Sequence, residues 1–176
     1  MPDSPFSPLA ERSARVVDPE KLQAFLDTFL YRESAVLVDE ITGIDAAAGR
    51  IEARLDTADR TFPFAEAQRT SVNHPGHVSG AELVMVTGAL GCLHAWLFHG
   101  VRWDEGWAGF GNRIHRADFK RLSRLGPPIE LSSTETRTRV GPSRVVLRYQ
   151  FEFRQEGEPV YVGDQSAMFM KDVALG

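Results

Sequence analysis

Residues 73–82, reading NHPGHVSGAE, concentrate the side chains that acid–base chemistry needs, directly ahead of a long apolar run. His74 and His77 flank a Pro-Gly turn, and an imidazole titrating near neutrality suits a general base or acid. The other reading of both is a turn histidine tied to backbone. Glu82 offers a carboxylate as base or nucleophile. It also stands three residues after Ser79, the spacing of a capping box with Ser79 at the N-cap, and a carboxylate there complements the helix dipole. Both readings stay open, for Ser79 as for Glu82.

Backbone groups enter the same chemistry. The first N–H groups of a helix lack intrahelical acceptors, so those of Gly80 and Ala81 can hold a carbonyl oxygen as negative charge develops on it. Gly80, without a Cβ, admits close approach. Thr87, further along, either orients water or bonds back to the preceding turn. Asn73 and Tyr31 complete the substrate-binding candidates together with His74. His74, His77 and Glu82 have no firm metal-site spacing, so no metal is expected.

These residues need elements to hold them. Hydrophobic periodicity predicts a first helix over 19–29, with Asp18 as N-cap and Pro19 at the first position. Strands are predicted at 35–41 and 51–55, with a turn at 45–49 between them, and 57–69 reads as irregular. The run from Gly80 to Phe98 is apolar nearly all round, which predicts a helix buried on most sides; Gly88 and Gly91 permit close packing on it. Strands follow at 110–119 and 129–140. A clean period of two from Val145 to Phe153 then leads into a hairpin partner over 160–171. One buried helix among antiparallel strands makes the class α+β, with the sheet packed around the helix.

A chain of 176 residues, 43% apolar and 25% charged, supports one domain. The expected division is an extended leader at 1–17, without the apolar core of a signal peptide, and a single domain over 18–176. A net charge of −4 argues against nucleic acid as partner. The helix over 80–98 carries Glu82 and His94 and reads as core rather than a membrane span. Cys92 is the lone cysteine, which excludes an internal disulfide and points to a reducing, cytoplasmic compartment; within the apolar helix it reads as a small hydrophobe. Arg113, Arg116, Lys120, Arg121 and Arg124 form a basic cluster, either solvated or set to meet phosphates or an acidic partner. Trp96, Trp103, Trp107, Phe98 and Phe110 read as core or as an acyl-pocket wall.

The element order over most of residues 20–171 resembles the hotdog fold. The resemblance is sharpest at GHVSGAEL, which is similar to the entrance of FcoT-like fatty acyl-CoA thioesterases: Gly76, His77, Glu82 and Leu83 fall in matching places, while Ser79 and Gly88 stand where that family carries asparagines. Tyr31 lies in roughly the region of that family's site tyrosine. His74-Pro75-Gly76 resembles part of the entrance of the hotdog β-hydroxyacyl-carrier dehydratases. The resemblance implies a homodimer or higher homo-oligomer with the acyl tunnel between subunits. It implies acyl-CoA or acyl carrier protein as partner, with coenzyme A or phosphopantetheine belonging to the substrate, and neither cofactor nor metal. The expected activity is thioester hydrolysis in fatty acid or polyketide metabolism. Dehydration of β-hydroxyacyl thioesters is the alternative, and the departures at Ser79 and Gly88 leave a third, non-catalytic acyl binding.

Overall fold

The computed structural model describes residues 19–59 and 61–172, so the expected leader and the Asp18 cap lie outside the described residues. Helix α1 (Pro19–Thr28) buries Leu22 and Phe25 on one face, as the spacing predicts. A single 3-10 turn at Glu33–Ala35 follows. The strand expected from residue 35 starts later, as β1 (Glu40–Asp45). Val36, Leu37 and Val38 are all buried, but by packing on the core and not by ladder pairing. The first bond to the neighbouring strand is made by the Asp39 N–H, to Arg54 O at 2.9 Å.

Strand β2 (Arg50–Leu55) returns antiparallel. In the turn, Asp45 Oδ1 accepts from the Ala48 N–H at 2.9 Å, and Gly49 takes the left-handed conformation (φ 56°). The stretch expected to be irregular contains the one-turn helix α2 (Pro63–Glu66), with Pro63 where its missing N–H costs nothing. Strand β3 (His77–Val78) leads into α3 (Gly80–His99). That helix ends at Gly100, a left-handed cap whose N–H bonds Ala95 O. Beyond it lie β4 (Trp107–Phe119), β5 (Ser123–Arg124), β6 (Ile129–Gly141), β7 (Arg144–Gln155) and β8 (Glu158–Lys171).

Six strands form one antiparallel sheet in the order β1-β2-β6-β7-β8-β4, and β3 pairs with β5 in a separate ribbon. The sheet curls around α3. Val145, Leu147, Tyr149, Phe151 and Phe153 of β7 face the helix and are almost fully buried. Opposite them, Leu83, Val86, Leu90 and Leu93 are shielded to the same degree, each contributing about 1.5–3 kcal/mol of transfer free energy. Gly91 lets the sheet close in: the Tyr149 hydroxyl donates to Gly91 O at 3.0 Å, and a Cβ there would sit 3.3 Å from the Tyr149 ring.

Helix α3 is long and apolar enough to cross a bilayer, but half of it is buried inside the protein. It is covered on most sides, as expected, and Ala81, Met85 and Gly88 mark one exposed stripe. The tryptophans gather at its far end. Trp96 packs on Phe25, and Trp103 on Phe29 and Phe169. The Arg102 guanidinium lies 4.1 Å over the Trp96 ring and donates to Trp96 O at 2.7 Å. Trp103 and Trp107 are core, while Phe110 faces a cavity.

Strand alternation breaks in β6 with consequences for which side chains face the helix. In β6, Glu135 opposes Tyr149 and Arg137 opposes Arg148, leaving Thr136 as an extra residue. This bulge reverses the facing of everything after it. Glu135 points inward, and Arg137 and Arg139 point out instead of into the core.

Candidate functional site

The mouth is built from two clamps and a cap. The Gln68 side chain grips the backbone of His77, accepting from its N–H at 3.1 Å and donating to its carbonyl at 2.9 Å. Gln155 does the same for Arg124, at 2.8 Å each way. The β3–β5 ribbon is thus fixed on both sides by amides that mimic a strand.

At the start of α3 the capping box is complete. Ser79 Oγ accepts from the Glu82 N–H at 3.2 Å, and Glu82 Oε2 accepts from the Ser79 N–H at 2.8 Å. The other oxygen, Oε1, accepts from the Phe64 N–H at 3.1 Å. Glu82 is 2% exposed, so both carboxylate oxygens are engaged on backbone and tie α2 to α3. The cap leaves the N–H groups of Gly80 and Ala81 without intrahelical acceptors. The space a Cβ would fill at Gly80 is taken by the Phe119 ring, 2.8 Å away. The glycine gives that space to the ring.

His77 Nδ1 lies 2.9 Å from Pro75 O. A carbonyl only accepts, so Nδ1 carries a proton, and in the neutral ring the lone pair lies on Nε2, the tautomer a base needs. His74 meets the His77 ring edge-on, centroids 5.1 Å apart. Asn73 sits exposed at the tip of the turn closed by the Ser71–His74 bonds.

A cavity of about 360 Å³ lies further along, between α3 and the inner face of β4, β8 and β7. Phe29, Met85, Ala89, Phe110, Phe151 and Phe169 give it apolar walls. Of the sequence candidates, Tyr31 and Thr87 line it; His77, Ser79, Gly80, Ala81 and Glu82 do not. Tyr31 is exposed at the rim, its ring 5.6 Å from that of Phe29. The Thr87 hydroxyl lies 2.6 Å from Val84 O, the expected bond to the preceding turn, and also 3.0 Å from Gln165 Oε1. The Gln165 amide donates in turn to the Tyr161 hydroxyl at 3.0 Å. Sequence reasoning missed Gln165, since a glutamine inside an alternating strand carries no local signal that it faces inward. Cys92 also lines the cavity; burial pushes its thiol up to about 12, so it remains protonated and unreactive.

Two further polar groups belong to neither region. His94 is fully buried, its Nδ1 3.1 Å from Ser133 Oγ and its Nε2 3.6 Å from Glu135. His99 and Thr138 hydrogen-bond the same carboxylate. Burial holds the His94 imidazole down near about 4, partly offset by the charge of Glu135. The basic cluster read from the sequence is largely neutralised: Arg116 and Lys120 pair with Asp118, Arg121 with Glu158 and Arg124 with Glu156. Among the described residues no three His, Cys, Asp or Glu side chains converge as metal ligands.

No family model matches the sequence, and no curated protein matches it by sequence. Solved structures match the fold. A thioesterase from Haemophilus influenzae is similar at 20% identity and TM-score 0.57, covering 88% of this chain and 93% of its own. A mutant thioesterase from Pseudomonas aeruginosa is similar at 15% identity and TM-score 0.59, with 88% and 94% covered. The dehydratase heterocomplex ApeI:P from Xenorhabdus doucetiae is similar at 11% identity and TM-score 0.58, with 84% and 91% covered. With the helix-wrapping sheet described above, these matches give the chain the hotdog fold.

Proposed function

We propose that the protein is an acyl-thioester hydrolase. The observation that carries this reading is the apolar cavity and its approach along α3. Met85 and Gly88 line the cavity and are exposed. Ala81, one turn earlier on the same face, leads to the helix start. From Gly80 to Gly88 the path is about 12 Å at 1.5 Å per residue. The thioester carbonyl rests on the Gly80 and Ala81 N–H groups, which stabilise the oxyanion. His77 Nε2 takes the proton of the attacking water and returns it to the leaving thiolate. The acyl tail runs into the cavity, where Thr87 and Gln165 supply the polar contacts. The thioester-processing neighbours support this class of substrate.

The reaction so drawn uses no metal or resident cofactor; coenzyme A or phosphopantetheine arrives with the substrate. The lone cysteine keeps a cytoplasmic setting in the proposal. A homodimer belongs to it as well. Among the described residues, strand β4 is an edge without a partner on one side, thirteen residues long, and its Ile114 and Phe119, with Met85 of α3, are about half exposed. A second copy pairing along β4 covers the apolar stripe and closes the approach.

Steady-state hydrolysis of a panel of acyl-CoA esters tests the reading. His77→Ala lowers kcat about a hundredfold or more, with Thr87→Val and Gln165→Leu assayed beside it. A wild-type rate in His77→Ala, with loss in Thr87→Val, moves the chemistry into the cavity and refutes the mouth assignment. Mass spectrometry of products from 3-hydroxyacyl thioesters distinguishes free acid from loss of water, the dehydratase outcome. Binding without turnover of either kind leaves an acyl-binding protein.

A further inference from the structure

The outer face of the sheet holds a second concavity, of about 500 Å³, over the ends of β6, β7 and β8 beside β4. Its walls include Arg137, Arg139, Arg144 and Arg148. Many arginines elsewhere on the surface are matched by carboxylates, such as Arg50 by Glu52, Arg54 by Glu40 and Arg154 by Glu152; Arg32, Arg69 and Arg113 are exposed without an ion pair among the described residues, but they are scattered, not gathered in one concavity. Arg148 itself is held by Asp164 in a two-point fork, at 2.8 and 2.6 Å. Among the described residues, Arg137, Arg139 and Arg144 make no ion pair. Carboxylates are not scarce, since Asp and Glu outnumber Lys and Arg by 24 to 20.

Three irregularities of the strands assemble this groove. The bulge at Thr136 turns Arg137 and Arg139 outward. The ladder of β4 and β8 skips Asn112 and His115, and both extra residues line the groove. Bulges re-aim side chains in this way at functional positions. His115 Nε2 also lies 3.1 Å from Ser166 Oγ, another lining group. Arg137 stands directly across from Arg148, whose own charge the Asp164 fork already balances.

We propose that this groove binds a small organic anion carrying two or more phosphate groups, of the nucleotide polyphosphate class. All the cations are arginines, whose planar forks match phosphate oxygens two at a time, and the volume is that of a small-molecule site. Two sources share this chemistry: the nucleotide end of a coenzyme A thioester, and a free nucleotide.

Isothermal titration calorimetry with coenzyme A, ATP and phosphate-free pantetheine separates them, and it reads binding whether or not the protein hydrolyses thioesters. The wild type binds coenzyme A, ATP or both, more weakly as salt rises, and pantetheine no better than marginally. The Arg139→Ser/Arg144→Ser variant loses about tenfold or more in affinity, while Arg154→Ser, a paired arginine outside the groove, binds as wild type. Binding of both ligands assigns the groove to nucleotides in general; binding of coenzyme A alone assigns it to the carrier's own nucleotide end. No binding of either, or unchanged affinity in the double variant, overturns the proposal. If circular dichroism finds the double variant unfolded, Arg139→Ser and Arg144→Ser are titrated singly under the same criteria.

Discussion

Replacing Glu82 separates a cap from a catalyst. Its carboxylate accepts from two backbone N–H groups, Ser79 at 2.8 Å and Phe64 at 3.1 Å, and is 2% exposed. Each bond to a charged acceptor is worth about 1.5–3 kcal/mol, and a buried donor left unpaired costs a similar amount. Glu82→Ala therefore destabilises by about 3–5 kcal/mol, a fall in melting temperature of about 6–20 °C for a chain of this size. Glu82→Gln keeps one acceptor oxygen and turns an amide NH₂ toward the other N–H, so it loses about half as much. Ser79→Ala, which removes only the reciprocal bond, costs about 1 kcal/mol. Thermal melts by circular dichroism measure all three, and hydrolysis assayed well below each midpoint is expected to change little. A Glu82→Gln protein that melts within about 2 °C of wild type and loses about a hundredfold in kcat would refute this reasoning and make Glu82 the acid–base group.

The buried histidine gives the fold a pH dependence. His94 has a folded-state value near about 4, below the usual 6.5, so the unfolded chain takes up the proton first as pH falls. Stability is complete above pH 6.5 and declines toward pH 4, by at most about 3 kcal/mol. Glu135, raised by burial but pulled lower overall by hydrogen bonds from Thr138 and His99, adds in the same direction at the acid end. Melts across this window show the slope, and His94→Gln flattens it; an unchanged slope rules the histidine out. Sedimentation equilibrium checks the edge pairing: the wild type runs as a dimer or larger, and Ile114→Asp or Met85→Asp shifts it to monomer, whereas a monomeric wild type ends the β4 proposal.

Features set by local sequence were legible before the structure. The start of α3, its capping box and the β7–β8 hairpin follow from spacings of three and two, which neighbouring residues enforce by themselves. The misplaced strand at 35–41 failed because an apolar triplet, Val36-Leu37-Val38, is buried by contact with the core, and burial alone does not distinguish packing from ladder pairing. The arginine groove was illegible for a sharper reason. Simple alternation puts Arg137 and Arg139 on the same face as Ser133, and only the extra residue at Thr136 reverses them. Gln165 was missed because its role depends on Thr87, 78 positions away in the chain. The candidates near Glu82 were found as a group because they are contiguous, but their division between mouth and cavity is a property of the helix's length.

The gathering of Trp96, Trp103 and Trp107 around the end of α3 has an optical consequence. Trp96 and Trp103 absorb and emit from one corner, against Phe25, Phe29 and Phe169, and the Trp107 N–H bonds Arg102 O beside them. Intrinsic fluorescence therefore follows the docking of α1 and of the end of β8 on Trp103, with the Arg102 guanidinium 4.1 Å over the Trp96 ring as a built-in quencher. The capping-box end of the helix is dark. A tryptophan placed there by substitution would give each end of the same helix its own signal, so that fraying at one could be timed against fraying at the other.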